Sequence, residues 1–295
     1  MIRPILQDDA FLDDVTRVRS DSPSPSPTSP LHLWWLGQSG YLVHYRNCFL
    51  LIDPYLSDSL TRKYAATDKP HVRTSDRVID PARLDFVGLV TASHVHTDHL
   101  DPDTLRPLVE KNPALVLVCP ESIRSTARER AGLTNDRIIG LDAGAAPSSL
   151  LVRRPPFQIH AVPAAHEQLE RDGYGRMACL GYVIRIGPFK IYHSGDTVLF
   201  PGMAEMLRPF RVDLALLPIN GRSPERRVAG NLNGTEAAQL ARQIQAGLVV
   251  PCHYDMFEFN TASPDGFVAE CRELQQPHRV LQLGERLTLD IDPQA

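Results

Sequence analysis

Ser93-His94-Val95-His96-Thr97-Asp98-His99-Leu100-Asp101 is the stretch on which the reading of this chain turns. Three histidines and an aspartate stand there in the pattern H-x-H-x-D-H. Imidazole and carboxylate are side chains that hold zinc, manganese and iron. The apolar run Phe86-Val87-Gly88-Leu89-Val90 comes just before and reads as a buried strand over 86–91. A strand that ends in a tight turn can aim several closely spaced side chains at one point. A solvated loop merely rich in histidine needs no distant partners, whereas a metal centre does.

Working outward, candidate partners follow other strand-like segments. His166 comes after Ile159-His160-Ala161-Val162-Pro163-Ala164-Ala165. Asp196 lies in Tyr192-His193-Ser194-Gly195-Asp196-Thr197, and His253 in Val249-Val250-Pro251-Cys252-His253-Tyr254. Asp53 closes the run Leu51-Ile52-Asp53-Pro54. Of the remaining histidines, His32, His44 and His160 sit inside strand-like segments and read as structural. His193 reads as structural or as support for a ligand, His278 as solvated, and His71 as unconstrained in a long loop.

Strands are expected over 31–36, 41–45 and 48–52, a meander turned at Gly37–Gly40 and Arg46-Asn47. A long irregular segment, 53–81, follows. Beyond the histidine motif, helices are expected over 102–111, 122–130, 203–208 and 235–245. Strands are expected over 114–118, 157–162, 181–186, 189–193, 213–217 and 248–250. Each half is β-rich first and then alternates β with α. Two mixed sheets packed together and covered by helices satisfy that order, an α/β four-layer arrangement.

The 295 residues suit one large α/β domain, and 43% hydrophobic with 22% charged residues is an ordinary globular composition. A net charge of −4 offers no electrostatic argument for nucleic acid or an anionic membrane surface. The five cysteines, Cys48, Cys119, Cys179, Cys252 and Cys271, are scattered without a C-x-x-C, which fits reduced thiols rather than a disulfide framework. No signal-peptide pattern or membrane-length apolar run is seen, so a cytoplasmic protein is expected. The alternating Ser/Pro segment 21–30 reads as a polyproline-like linker. Residues 1–30 are therefore an N-terminal extension, with one short helix over 8–18, and 31–295 the folded domain. A small anionic molecule is the expected partner, and a homo-oligomer stays open.

The set H-x-H-x-D-H, then His166, then Gly195-Asp196-Thr197, then His253 resembles the metallo-β-lactamase superfamily. The resemblance implies an αββα sandwich with one or two divalent metal ions at one end, Mn2+ or Zn2+. It implies that His94, His96 and His166 form the first metal position and that Asp98, His99 and His253 form the second. Asp196 would bridge them, and Asp53 would orient ligands from behind. Trp34-Trp35-Leu36-Gly37-Gln38-Ser39-Gly40, Tyr192–Thr197 and His253-Tyr254-Asp255-Met256-Phe257 look like the branch of the L-ascorbate-6-phosphate lactonases. That branch implies attack of a metal-bound hydroxide on a phosphorylated sugar-acid lactone, with Asp98 orienting the nucleophile or moving its proton. Leu217-Pro218-Ile219-Asn220-Gly221 and Pro224-Glu225-Arg226 are similar to N-acyl-phosphatidylethanolamine-hydrolysing phospholipase D, which implies a phosphodiesterase. A non-catalytic metal-containing binding module is the third reading.

Arg222, Arg226 and Arg227, with Asn220, lie between a strand and the helix starting near Thr235, where guanidinium forks suit phosphate or carboxylate. They are the expected substrate residues, with Lys63, Lys69 and Arg73 behind them. Asn233 and Glu236 read as a helix N-cap pair.

Overall fold

In the computed structural model, residues 1–21, 29–143, 151–154 and 156–290 are described. Most of the expected polyproline-like segment lies outside these residues. Strands β1 (Leu31–Gly37), β2 (Gly40–Tyr45) and β3 (Cys48–Ile52) form the expected meander. They join β4 (Leu89–Thr91), β5 (Val116–Pro120), β6 (Ile138–Leu141) and β13 (Arg286–Leu289) in a seven-stranded sheet of order β13-β1-β2-β3-β4-β5-β6. The second sheet runs β12-β11-β10-β9-β8-β7. Its strands are β7 (Leu151–Arg154), β8 (Phe157–Pro163), β9 (Leu180–Ile186), β10 (Phe189–His193), β11 (Leu214–Pro218) and β12 (Leu248–Cys252).

Both sheets change from antiparallel to parallel pairing partway across. β1–β3 pair antiparallel and β3–β6 parallel, while β7–β10 pair antiparallel and β10–β12 parallel. Parallel strands need crossovers, and helices supply them. Helices α3 (Pro102–Lys111) and α4 (Arg124–Ala131) pack together, with α4 on β5 and β6. Helix α6 (Gly234–Gln243) packs on β11 and β12, and α7 (Asp265–Glu273) packs on α6. Helices α2 (Ser59–Tyr64) and α5 (Met203–Leu207) are shorter. The result is the expected sandwich of two mixed sheets between helices.

One apolar core runs between the sheets. Every residue of β1 is buried, because each face of that strand is covered. Tyr45 meets Phe189 edge-on across the sheets, with ring centroids 6.2 Å apart, and Tyr182 Oη donates to Ala92 O at 2.9 Å.

Helix α1 (Asp8–Asp21) changes the expected boundary at Leu31. Phe11, Val15 and Val18 are buried in the same core as the strands, and Phe11 meets Trp34 edge-on. Asp14 accepts the Trp34 indole N–H at 2.9 Å and pairs with Arg286 at 3.1 Å. The first twenty residues thus complete the domain, because β1 and β13 leave an apolar face that α1 covers.

Smaller differences have local causes. The strand expected over 86–91 is only β4, since the Asn112 side chain accepts Val87 N–H at 2.9 Å and Phe86 packs against Phe49 instead. β5 starts later than expected because Leu89 pairs with Val116. Helix α2 occupies part of the segment expected to be irregular, and β6, β7, β13 and α7 had no counterpart in the sequence reading. Asn233 and Glu236 form a reciprocal capping box on α6. All five cysteines are free. Among the described residues, no helix is long and apolar enough to cross a membrane.

Candidate metal centre

The histidine motif is a short loop between β4 and α3, fixed at both ends. At its start, Asp53 is fully buried and accepts Ser93 N–H at 3.0 Å as well as the Ser93 hydroxyl. At its end, Asp101 caps α3, with Pro102 in the first turn, and also accepts from Thr104 Oγ1 at 2.6 Å and Ser59 Oγ at 2.8 Å. Between them, His99 N–H and Leu100 N–H both donate to His96 O, which folds the loop tightly. Arg130 of α4 holds it from outside through Val95 O at 2.6 Å.

The distant partners arrive from the other sheet. Asp196 follows β10 at a turn where Gly195 has φ +60, and a Cβ there would meet Ser93 Cβ at 2.6 Å. Glycine is required by both the backbone angle and the close approach of the two loops. His193 supports this turn: its Nδ1 accepts Gly195 N–H at 3.3 Å and its Nε2 donates to Ser39 O at 3.0 Å. His253 follows β12, and His166 follows β8.

All seven expected ligand residues come together. Three overlapping groups, His94/His96/His166, His94/His99/Asp196 and Asp98/His99/His253, each have ligand atoms within 4.8 Å of one another. Asp196 stands between them, with Oδ1 3.2 Å from His99 Nε2 and Oδ2 3.2 Å from His253 Nε2. Asp53 takes the supporting place expected of it, accepting His99 Nδ1–H at 2.7 Å. Since the single Ser93 hydroxyl proton goes to Asp53, Ser93 Oγ accepts from His94 Nδ1 at 3.0 Å. His166 Nδ1–H donates to Gly230 O at 3.0 Å. In each of these rings the other nitrogen, Nε2, is left facing the cluster.

The donor set fits a divalent cation. His94 Nε2, His99 Nε2 and Asp196 Oδ1 are buried without a hydrogen-bond partner, and such atoms ordinarily find one. Imidazole with carboxylate and no thiolate suits zinc, manganese or iron. Within the protein alone, the buried charges of the cluster offset one another. Burial opposes charge on His99 and His253, but Asp196 and Asp98 outweigh it, holding His99 well above the usual imidazole value and His253 at about 9. Burial likewise opposes charge on Asp98 and Asp196, yet His99 and His253 hold both carboxyls well below the usual range. His94 is pushed well down by burial. In the protein alone, His99 and His253 thus supply the positive charge that the two carboxylates face.

Gln38, Asp53 and His253 all have left-handed backbones, with φ of +49, +40 and +62. Such strain costs on the order of 1–3 kcal/mol per residue and collects at functional sites.

A cleft of about 410 Å³ opens over the cluster. Asp98, His96, His166, Asp196 and His253 form its floor, and Tyr64, His71 and Phe257 an aromatic wall. Lys63, Arg130 and Arg227 supply positive charge. Of Arg222, Arg226, Arg227 and Asn220, Arg227 lines it, paired with Asp68 at 2.6 Å, and of the weaker candidates Lys63 does. Arg222 instead clamps Glu236 through two bonds of 2.9 and 2.6 Å. Arg226 ties Asn220 O to Thr261 O, and Asn220 is buried between Asn231 and Asn260. Those three side chains hold the loop itself and do not line this cleft. Lys69 reaches Glu225 O, and Arg73 ties Ser57 O to Ser75 O.

Sequence reasoning left His71 without a role, yet it stacks on Tyr64 at 4.2 Å between centroids and borders Phe257 and Phe259. It also passed over Gln38, whose Nε2 donates to Asp98 Oδ2 at 2.8 Å. The only signal was its place in the turn Gly37-Gln38-Ser39-Gly40.

Comparison with known proteins gives a consistent picture. A UPF0173 metal-dependent hydrolase of Myxococcus xanthus is 28% identical over 268 residues, covering 88% of this chain and 83% of that protein. One from Listeria monocytogenes is 29% identical over 259 residues, covering 86% and 97%. Among solved structures, a possible metal-dependent hydrolase of Veillonella parvula superposes with a TM-score of 0.69 at 13% identity, covering 88% of this chain and 99% of that one. Igni18, a metallo hydrolase of Ignicoccus hospitalis, gives 0.64 at 22% identity, covering 89% and 100%. The family model described as Beta-lactamase superfamily domain matches residues 49–254, most of the sandwich and the whole ligand cluster, and the chain belongs to that family.

Proposed function

We propose that this chain is a metal-dependent hydrolase that opens a small anionic lactone. In this reading His94, His96 and His166 hold one divalent ion, Asp98, His99 and His253 a second, and Asp196 is shared. The observation that carries it is the meeting of seven side chains from separate strand ends in one buried cluster with unpartnered ligand atoms. The relatives described as metal-dependent hydrolases support the reaction class.

A divalent ion bound there supplies Lewis acidity, lowering the pKa of water towards neutrality and polarising a substrate oxygen. The protein's own residues do the rest. Asp98 lines the cleft with its side chain 15% exposed, so its carboxylate can orient a water and take up its proton. Asp53 and Ser93 hold the His99 and His94 rings in place. Lys63, Arg130 and Arg227 favour an anionic group in the cleft, and the volume suits a small molecule. The likeness of the Trp34–Gly40, Tyr192–Thr197 and His253–Phe257 segments to the phosphosugar lactonases supports a lactone as the bond that is opened.

The test is metal analysis of the purified protein, followed by assays on a phosphorylated sugar-acid lactone and on bis(4-nitrophenyl) phosphate. Hydrolysis of the lactone, lost on chelation and restored by Mn2+ or Zn2+, is expected. Turnover of the diester alone would replace the lactonase reading with a phosphodiesterase. Tight metal binding with no turnover of either would favour a binding module, and a chain that takes up no ion would remove the metal centre.

A further inference from the structure

The turn between β1 and β2 sends one side chain into the polar cluster. Gln38 is fully buried, and its Nε2 donates to Asp98 Oδ2 at 2.8 Å while standing 3.3 Å from His253 Nε2. Its Oε1 is buried and has no hydrogen-bond partner. A tight turn ordinarily carries short polar residues or glycine facing water. This one keeps a long amide inside, on a left-handed backbone.

The main chain of the same residue is also engaged. Gln38 O accepts from Trp35 Nε1 and from His253 N, each at 3.0 Å. Gln38 therefore holds His253 through its carbonyl and Asp98 through its amide. The third member of that ligand group, His99, is held by Asp53. No hydrogen bond joins Gln38 to His94, His96 or His166 among the described residues.

We infer that Gln38 is the positioning residue of the Asp98/His99/His253 cation position, an inference that rests on the metal-centre reading above. A carboxylate on a free side chain can turn its oxygens in several directions. A buried amide N–H on Oδ2 fixes one of them, so that Asp98 faces His99 and His253 before any ion arrives. Groups that support ligands in this way typically contribute tenfold to a hundredfold in metal affinity. The His94/His96/His166 position has no comparable amide, so the effect belongs to one position only.

The experiment titrates metal-free full-length protein with Co2+, followed by absorption, and with Zn2+, followed by calorimetry. The wild type is expected to take two ions. Gln38→Met keeps the unbranched shape and removes the amide. It should weaken the second ion about tenfold or more and leave the first within about twofold, with an unchanged metal-free melting temperature. Trp35→Phe removes a donor to the Gln38 carbonyl but keeps the amide, and should preserve the affinity for both ions. The inference is overturned if Gln38→Met weakens both ions equally or neither, or if Trp35→Phe reproduces the selective loss. A wild type that binds one ion overturns it alone, whereas one that binds none removes the metal reading as well.

Discussion

Two groups of buried histidines in this fold meet opposite fates. At the metal end, His99 and His253 face Asp98 and Asp196, and carboxylate charge outweighs burial. Further along β1 and β2, His32 and His44 stack at 5.9 Å between centroids, and His44 also packs against Phe49. Among the described residues, no carboxylate accepts a hydrogen bond from either ring. Burial, the largest cause, pushes both imidazoles down to about 4. His32 Nδ1 has Thr288 Oγ1 at 2.9 Å, but neither His44 nitrogen has a hydrogen-bond partner. Burial is common to both groups, so the neighbours decide the charge. Buried imidazole reads as a site only where carboxylates and other imidazoles converge on it.

The largest effect should come from breaking the metal end. His166→Ala or Asp196→Ala should lower kcat/KM by about a thousandfold or more while far-UV circular dichroism stays near wild type. Wild-type rates in both variants, after chelation and metal repletion, would place the chemistry elsewhere. Asp53→Ala should act one step removed. Freed from its carboxylate, His99 should bind its ion about tenfold to a hundredfold more weakly, measured by competition with a chelating dye. An unchanged affinity would show that the Asp53 contact only shapes the turn.

The His32–His44 pair makes a prediction with a sign. Both imidazoles have folded pKa values below the unfolded value near 6.5, so below that pH the unfolded chain binds more protons. Stability should therefore be intact above pH 6.5 and fall as the pH drops towards 4. His44→Phe should flatten that fall in urea titrations at successive pH values, with turnover at neutral pH retained. An acid profile identical to wild type would mean the pair does not govern it. The smallest effect is expected at Arg222, outside both groups. Arg222→Ala should leave kcat/KM within about twofold and cost up to about 1 kcal/mol of stability, because it clamps Glu236 at the start of α6 and reaches Asn231 O, away from the cleft. A large rise in KM would restore it to the substrate site.

Much of this was legible in the sequence, for definite reasons. The meander β1–β3 showed because its turns carry Gly37, Gly40 and Arg46-Asn47 between apolar runs. The ligand residues showed because each follows a strand, where the sandwich collects its loops. The arginines misled because a guanidinium's partner is set by tertiary packing: Glu236, Asn220 O and Thr261 O claim Arg222 and Arg226 before any substrate can. His71 was illegible because only the folded loop lays it on Tyr64. Edge strand β13 was missed because its four residues gain their order from β1, at the far end of the chain.

That pairing draws together segments far apart along the chain. Asp14 and one of its partners, Arg286, stand 272 positions apart in the chain. Ile5 N–H likewise waits for Leu283 O. Helix α1 thus gains its full seat only once Leu283 and Arg286 have been brought beside it. A deletion of residues 1–20 would leave Trp34 and Arg286 without their shared carboxylate, a defect felt in two distant segments at once.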